Sequence, residues 1–542
     1  MASALEDIKR SSLDKDAANS PIRQLPTSDS RPLSSNAILT KLHLPPIDVK
    51  ESQKSLNTVQ DKDMIKILCL KCEEEVKVRE LPSHREFHFA LSLFKYTMET
   101  LPFGVKQLLK RRRALIKRLN ETATSENPVS IKKLSRLNIV YELLKATIEG
   151  TKTISPEVEN YKPNICGYST RLSCALAFGV CEERNERWRS KMEDRYSYQD
   201  YFCNDPQSGF FAVYDGYNGA IAAEKCARYF HEILSDKIEP VYRSDSSHKE
   251  VENQIVTAFK ETYDEMDKFL LFGVNENSRN RWSGCSALTC LLRGNNLYVA
   301  NAGTVRAILC KGDGSVVQLS RDHTPLNKKE RKRITKNGQV STSEKSILVN
   351  GLLSSTRGLG NHGDPSLKSV VIHHPDVKCV PLDESDQFLI FASNGIWEVF
   401  DEQEVLLLLD DIIPELDVKA VVRRMQKSRS NKASRSSGNT PGSEKMKENP
   451  PTSEPTDQNK HTDNLENFEP SEDIGKSLKD TPSSGRTISF IRREEKSVAL
   501  AKALSERLVE SALLAGCKDN VTVGVVLLKG CPLQMFLLPS IN

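Results

Sequence analysis

The stretch Gly209–Phe230, GFFAVYDGYNGAIAAEKCARYF, decides how the rest of the sequence is interpreted. The run Phe210–Tyr214 is apolar without alternation, which is typical of a strand that is covered on both faces. Two glycines then predict the end of this strand, and the segment from Ala220 onward has the apolar stripe of a helix. Asp215 therefore lies at a predicted strand-to-helix turn. Such an aspartate is either a turn former or helix cap, or a functional carboxylate.

Composition narrows the class of protein. The chain has 542 residues, a formal net charge of +4 and 13 cysteines. This charge is small for the length and does not favour nucleic acid as the partner. The N-terminal segment has no apolar core of a signal peptide, and the apolar run at 405–409 is far too short to span a membrane. We expect an intracellular protein, cytoplasmic or nuclear, that has no membrane partner and whose cysteines are free thiols or metal ligands.

Two polar tracts separate the regions with strong periodicity. Residues 1–60 are rich in Ser, Asp, Pro and Lys, and residues 427–487 have almost no large apolar side chain. Such tracts cannot bury enough apolar surface to offset the entropy of ordering them. Both are predicted to be disordered, the second as an insert between two helices of one domain. The second helix is predicted to end at Gly516.

Between about 168 and 530 the pattern predicts strands joined by tight turns, with a few long helices. Residues 288–292 and 297–302 flank Gly-Asn-Asn, and residues 306–310 and 315–319 flank a Lys-Gly-Asp-Gly turn, which predicts two hairpins. Long helices are expected at about 220–235 and 249–271. Antiparallel hairpins with separate helices indicate an α+β layered fold, not a doubly wound one.

Several further polar residues lie at predicted strand ends. Arg189, Glu193 and Asp194 precede one strand, Asn394 follows another, and Asp519 precedes the last. Carboxylates that a scaffold collects at strand ends suit hard cations such as Mg²⁺ or Mn²⁺. Two such ions can share a hydroxide that attacks a phosphate held by an arginine.

At these motifs the sequence resembles the metal-dependent (PPM, protein phosphatase 2C-type) protein phosphatases. The resemblance covers about 168–530 outside the insert and rests on eight ordered motifs: RSKMED, FFAVYDGYNG, SGCSALTCLL, VANAGTVRAILC, RDHTPLNKKERKRI, VNGLLSSTRGLGN, FASNGIWEVF and KDNVTVGVV. It implies an antiparallel β-sandwich flanked by helices, with a dinuclear Mg or Mn centre that hydrolyses phosphoserine and phosphothreonine.

The resemblance also implies a role for each matching residue. Asp215 matches the aspartate that bridges both metals, and Gly216 the glycine whose carbonyl joins it. Glu193 matches a ligand of the second metal and Asp519 a ligand of the first. Arg189 matches the arginine that binds phosphate.

Departures from the family pattern concern the same centre. Tyr217 replaces the histidine taken as the general acid, and tyrosine, with a reference pKa near 10, is a poor acid at neutral pH. Asn394 and Thr304 each replace an aspartate of the metal network. Asn361 replaces a further aspartate to which we assign no metal role, and Asp194 is assigned only a supporting role.

Together these departures predict a pseudophosphatase, whose phosphatase activity is lost or severely weakened and which acts as a binding or regulatory protein. Its expected partners are phosphoproteins or signalling proteins. The alternative is a weakly active Mg- or Mn-dependent protein serine/threonine phosphatase whose second metal site survives.

A second candidate site precedes this region, in a module assigned to 61–92. Its spacing, Cys-x2-Cys-x11-His-x3-His, suits tetrahedral zinc, with thiolates from a turn and imidazoles from successive turns of a helix; the ligands would be Cys69, Cys72, His84 and His88. The spacing resembles ubiquitin-binding zinc fingers, which makes ubiquitin a candidate partner. A chance arrangement among many cysteines is the other reading. Pro82 fits only within the first turn of the helix.

Residues 93–150 are predicted to form amphipathic helices. The run Lys110–Arg113 is either a solvated helix face or a contact for acidic partners. With the zinc module it forms a second alternative, a zinc-finger adaptor that binds nucleic acid, which the small net charge does not favour.

Overall fold

The computed structural model describes residues 65–97, 99–102, 104–122, 128–151, 163–272, 278–342, 347–409, 412–413 and 484–532. The predicted N-terminal tail (1–60) lies outside the described residues, and so does the predicted insert up to residue 483. The last helix begins at Ser484, close to the predicted end of the insert at about 487, and the extent of the insert stays a prediction.

The strands of the described chain are β1 (Lys66–Leu68), β2 (Glu75–Lys77), β3 (Cys166–Arg171), β4 (Ala177–Glu183), β5 (Arg195–Asp200), β6 (Ser208–Tyr217), β7 (Gly284–Arg293), β8 (Asn296–Ala302), β9 (Arg306–Lys311), β10 (Val316–Gln318), β11 (Val340–Thr342), β12 (Ile347–Val349), β13 (Leu359–Gly360), β14 (Asp376–Pro381), β15 (Asp386–Ala392) and β16 (Val521–Leu527).

The helices are α1 (Leu81–Phe94), α2 (Val105–Thr122), α3 (Pro128–Ile148), α4 (Ile221–Tyr242), α5 (His248–Phe272), α6 (Lys328–Ile334), α7 (Pro365–Lys368), α8 (Asn394–Trp397), α9 (Glu402–Leu407) and α10 (Ser484–Leu514), with 3-10 turns at Val78–Glu80, Phe202–Asn204 and Arg279–Trp282. None of these helices is both long and apolar enough to cross a membrane.

Two antiparallel sheets face each other. One has the order β10-β9-β15-β16-β4-β3, and the other has the order β14-β8-β7-β6-β5, with β13 paired to β7. Aromatic and aliphatic side chains of both sheets form the layer between them, among them Phe178, Phe211 and Phe391. Helices α4 and α5 cover the outside of the second sheet, and α10 covers the outside of the first. The α+β prediction, a sandwich flanked by helices, is confirmed.

Strand β6 runs through the middle of this arrangement and is covered on both faces, as predicted. Phe210 and Tyr214 pack toward the helices, whereas Phe211 and Val213 pack between the sheets. The predicted end of the strand is wrong, because Asp215, Gly216 and Tyr217 continue to pair with β7, opposite Ser286, Cys285 and Gly284. A neighbouring strand that extends equally far supplies hydrogen bonds that the glycine signal does not reveal.

Both predicted hairpins are present, as β7–β8 and β9–β10. Gly294 takes a left-handed φ of 56° in the first turn, which a side chain would oppose. Helix α10 ends at Leu514, and Gly516 follows with a φ of 82°, as predicted for a helix stop.

Helices α1, α2 and α3 pack on one another through a separate apolar cluster that includes Phe94, Leu108 and Leu144. In the basic run, the Arg111 guanidinium lies 4.3 Å from the Tyr96 ring, and that of Arg112 lies 5.0 Å from the Tyr141 ring. Two of these four cations therefore have contacts within the helices. A role in binding nucleic acid stays a prediction.

Candidate functional site

The predicted site residues meet at one end of the sandwich, where strands of both sheets end. The Asn394 N–H, just after β15, donates to Asp215 Oδ2 on β6 over 2.8 Å. The Glu193 N–H, just before β5, donates to Asn520 Oδ1, just before β16, over 2.8 Å. Each hydrogen bond joins one sheet to the other, so residues far apart in sequence are brought together.

The environment of Asp215 disfavours its charged form. The loss of hydration on burial is the larger cause and the nearby charge of Asp519 is the next; together they raise the pKa of Asp215 to about 7. Asp194 is 2% exposed, and Thr522 Oγ1 donates to its Oδ2 over 3.0 Å. Burial, then the charge of Asp215, raises the pKa of Asp194 well above its usual value. This concentration of carboxylates is what a bound cation would stabilise.

Gly216 is required by the close approach of the Glu193 loop. A Cβ at Gly216 would overlap the Glu193 carbonyl oxygen. The Glu193 side chain is held in turn, because its Oε1 accepts a hydrogen bond from the Gly219 N–H over 2.7 Å. These contacts keep the Glu193 carboxylate beside the end of β6.

Arg189 forms an ion pair with Asp519, which precedes β16. Its Nη2 lies 2.9 Å from Asp519 Oδ2, and its Nε donates to the Lys518 carbonyl over 3.3 Å. The Arg189 side chain is 46% exposed, so its guanidinium also faces solvent. A guanidinium with free N–H groups in such a position can bind a phosphate.

Tyr217 is fixed by an amide. Asn361 Nδ2 donates to the Tyr217 hydroxyl over 2.8 Å, and Asn361 takes a left-handed φ of 63°. A Cβ on Gly284 would lie 2.7 Å from Tyr217 Cε2, and one on Gly358 would lie 2.9 Å from its hydroxyl. Burial, first of all, raises the pKa of Tyr217 above its usual value. The ring is a packed structural group with a very weakly acidic hydroxyl.

Thr304 lies in the β8–β9 turn against Ser286, the residue opposite Asp215 in the sheet. The Thr304 N–H donates to Ser286 Oγ over 3.3 Å, and the two hydroxyl oxygens are 3.4 Å apart. This hydroxyl pair is neutral, so it adds no charge to the carboxylates beside it.

The four predicted zinc ligands converge in the finger, which we define as Lys66–Phe94. Strands β1 and β2 form a hairpin whose turn carries the cysteines, and α1 carries the histidines. The ligand atoms all lie within 4.8 Å of one another. In the described part of the chain, no other set of three or more His, Cys, Asp or Glu residues forms such a group. Pro82 lies in the first turn of α1, as the sequence required.

Comparisons with known proteins point to one family. The family model Protein phosphatase 2C matches residues 178–434. "Protein phosphatase 2C-like domain-containing protein 1" of Homo sapiens is 28% identical over 577 residues, which cover 86% of this chain and 89% of that protein. "Protein phosphatase 2C homolog 1" of Schizosaccharomyces pombe is 31% identical over 47% of this chain and 71% of that protein.

The chain belongs to the protein phosphatase 2C family. A solved structure, "Crystal structure of serine-threonine phosphatase 2C from Toxoplasma gondii", is 16% identical, with a TM-score of 0.44, and covers 68% of this chain and 100% of that one.

Phosphatases of the 2C family depend on Mg²⁺ or Mn²⁺, so we tested the residues present against such ions. Glu193, Asp215 and the Gly216 carbonyl offer hard oxygen ligands on one side, which fits one cation. The other side does not fit a second cation well. There Asp519 is paired with Arg189, and Asn394 supplies an amide where the 2C family has a carboxylate.

Sequence reasoning missed two partners at this site. The contact between Tyr217 and Asn361 joins two departures from the 2C pattern that lie 144 positions apart in the sequence. Ser286, which pairs with Thr304, has no signal of its own in the sequence. Only its position opposite Asp215, a consequence of strand register, could have indicated it.

Proposed function

We propose that this protein phosphatase 2C-fold protein is a pseudophosphatase that binds phosphorylated partner proteins without turning them over at enzyme rates. The observation that carries the proposal is that Tyr217 is packed against Gly284 and Gly358 and is hydrogen-bonded to Asn361. Where an active centre needs a group that gives up a proton near neutral pH, this chain has a packed phenol whose pKa burial raises further. Loss of general acid catalysis is typically worth about 10²–10⁴ in rate.

The remaining residues support binding more than hydrolysis. Arg189 keeps a solvent-facing guanidinium that can hold a phosphate oxygen. Glu193, Asp215 and the Gly216 carbonyl would hold one Mg²⁺ or Mn²⁺, which when bound would offset phosphate charge. Asn394 and the Ser286–Thr304 pair leave the rest of the site with fewer negative groups than the 2C family uses.

The test uses the full chain with Mn²⁺, a phosphothreonine peptide and its unphosphorylated form. We expect the phosphopeptide to bind in preference and turnover to stay near background. Arg189→Ala should weaken phosphopeptide binding roughly tenfold or more, because a charge-assisted hydrogen bond is lost. Lys191→Ala, which removes an exposed cation two residues away, is the matched control and should change little. Turnover at ordinary enzyme rates of about 1–10³ s⁻¹ would contradict the proposal.

A weakly active phosphatase is the second candidate. The observation that favours it is the intact arrangement of Glu193 beside Asp215 and Gly216. In that case a slow Mn²⁺-dependent turnover should be measurable and should disappear in Asp215→Asn. Turnover that persists in this variant would come from a contaminating enzyme and would leave the pseudophosphatase as the function.

A further inference from the structure

The finger is packed against the phosphatase-like domain, the region of about 168–530 outside the predicted insert, and is not a separate module. Ile67, Val78 and Leu81 are each at most 2% exposed, and they belong to the same apolar cluster as Phe400 and the α10 residues. An apolar face that is buried in this way is unavailable to a free partner. The position of the finger is therefore part of the architecture of the domain.

Three distances between ligand atoms are close to those that a tetrahedral metal would impose. Cys69 Sγ lies 3.4 Å from His88 Nε2, Cys72 Sγ lies 3.3 Å from His84 Nε2, and the two Nε2 atoms are 3.0 Å apart. Zn–S bonds of about 2.3 Å and Zn–N bonds of about 2.0 Å at tetrahedral angles give ligand separations of about 3.3–3.8 Å. The observed distances are close to this range.

The α1 helix that carries both histidines also carries an ion pair to the phosphatase-like domain. Arg85 lies between His84 and His88 in sequence and pairs with the Glu404 carboxylate, with Nε 3.2 Å from Oε1 and Nη2 in contact with Oε2. Arg85 Nη1 also donates to the Val399 carbonyl. The Glu404 side chain is 15% exposed and the Arg85 side chain 32%, so this pair is partly shielded from water.

Glu404 also stabilises the start of α9, in the segment that follows Asn394. Its Oε2 accepts from the Asp401 N–H over 2.9 Å, while Asp401 Oδ1 accepts from the Glu404 N–H, which together form the capping box of α9. Val399 lies between α9 and α8, and α8 begins at Asn394. The contacts of Arg85 thus reach the segment 394–404 that leaves the site.

We infer that Cys69, Cys72, His84 and His88 bind one Zn²⁺ and that this zinc is a structural part of the phosphatase-like domain, because it holds α1 and Arg85 against the segment 394–404. Metal binding and folding are coupled in small Cys/His modules. Here the coupling extends to the domain against which the module is packed. The inference is independent of whether the site hydrolyses phosphate.

The first experiment measures zinc content and thermal unfolding of the full chain. We expect about one zinc per chain and a single unfolding transition whose midpoint falls by about 5 °C or more when a chelator removes the metal. Cys72→Ser should lose zinc and show the lower midpoint, whereas Cys166→Ser, an exposed cysteine on β3, should change neither. Wild-type protein without zinc would overturn the metal site.

The second experiment separates zinc binding from its coupling to the domain, and it applies even if Cys72→Ser fails to fold. Arg85→Ala leaves all four ligands in place, so zinc content should be unchanged. Amide exchange in residues 394–404 should rise and the unfolding midpoint should fall by a few degrees. Lys77→Ala, which removes an exposed cation of the finger, is the control. If chelation and Arg85→Ala both leave that exchange and the midpoint unchanged, the zinc is not structural for the domain.

Discussion

At the residue scale, Tyr217 and Asn361, which both depart from the 2C pattern, form a hydrogen-bonded pair. The Asn361 amide donates to the phenol oxygen, while Gly284 and Gly358 leave room for the ring. The ring is therefore accommodated by its neighbours and is not a strained replacement. A histidine introduced alone would lose this hydrogen bond and leave Asn361 without it.

Restoring the family residues at three positions tests whether these positions account for the loss of activity that we propose. Asn394→Asp should raise Mn²⁺ affinity first, because it returns a charged ligand. Adding Thr304→Asp and Tyr217→His should then raise turnover of a phosphopeptide visibly, although each single change does almost nothing, since such groups act as a unit. The measurements are turnover and Mn²⁺ affinity of the three single variants, the three double variants and the triple variant.

Arg189→Ala in the background of the triple variant is the control and should abolish the gain, because the phosphate loses its anchor. A triple variant that folds, binds two metal ions and remains inactive would mean that these three positions are not sufficient to give a phosphatase.

At the element scale, the short helix α6 anchors the turn that carries Thr304. Glu330 on α6 accepts from Arg357 Nη2 over 2.6 Å, and Arg357 Nη1 lies 3.0 Å from Asp376 Oδ1. Asp376 Oδ2 lies 3.1 Å from His323 Nε2, and His323 Nδ1 accepts from the Gly303 N–H. A chain of ion pairs and hydrogen bonds therefore runs from α6 to the residue before Thr304.

The pKa of Glu330 makes this network testable by pH. Burial would raise that pKa, but the hydrogen bonds and charges of Arg357 and Arg333 outweigh burial and lower it from 4.5 to about 2. The contribution of Glu330 to stability is therefore complete above about pH 4.5 and is lost as the pH falls toward 2. Glu330→Gln should lower the free energy of unfolding by about 3 kcal/mol near neutral pH.

Urea unfolding of wild type and Glu330→Gln at about pH 6 and about pH 3.5 is the measurement. The difference between the two proteins should be smaller at the lower pH. Glu384→Gln, at an exposed carboxylate, should give no difference at either pH. A difference for Glu330→Gln that is equal at both pH values would rule out the ionised Glu330 as its source.

At the scale of the whole molecule, local patterns predicted more than did contacts between distant segments. The apolar runs predicted β6 and β15, and the Cys and His spacing predicted the ligand set of the finger, because both depend on a few neighbouring residues. Two features could not be found in this way. Asp215 continues a strand because β7 extends beside it, and Arg85 meets Glu404 across 319 positions of sequence.

Deleting residues 430–480 with a short flexible joint should leave the domain folded. These residues lie outside the described part of the chain, and their composition offers little apolar surface to any core. The described elements on either side, α9 and α10, keep their full length in such a deletion. The unfolding midpoint should stay within about 2 °C of wild type, with zinc content unchanged.

Leu504→Ala, at a fully buried position of α10, is the matched control. It should cost about 2–5 kcal/mol and so prove that the assay detects damage to the core. A fall after the deletion as large as that after Leu504→Ala would mean that the deleted tract contributes to the folded domain, against the expectation from its composition.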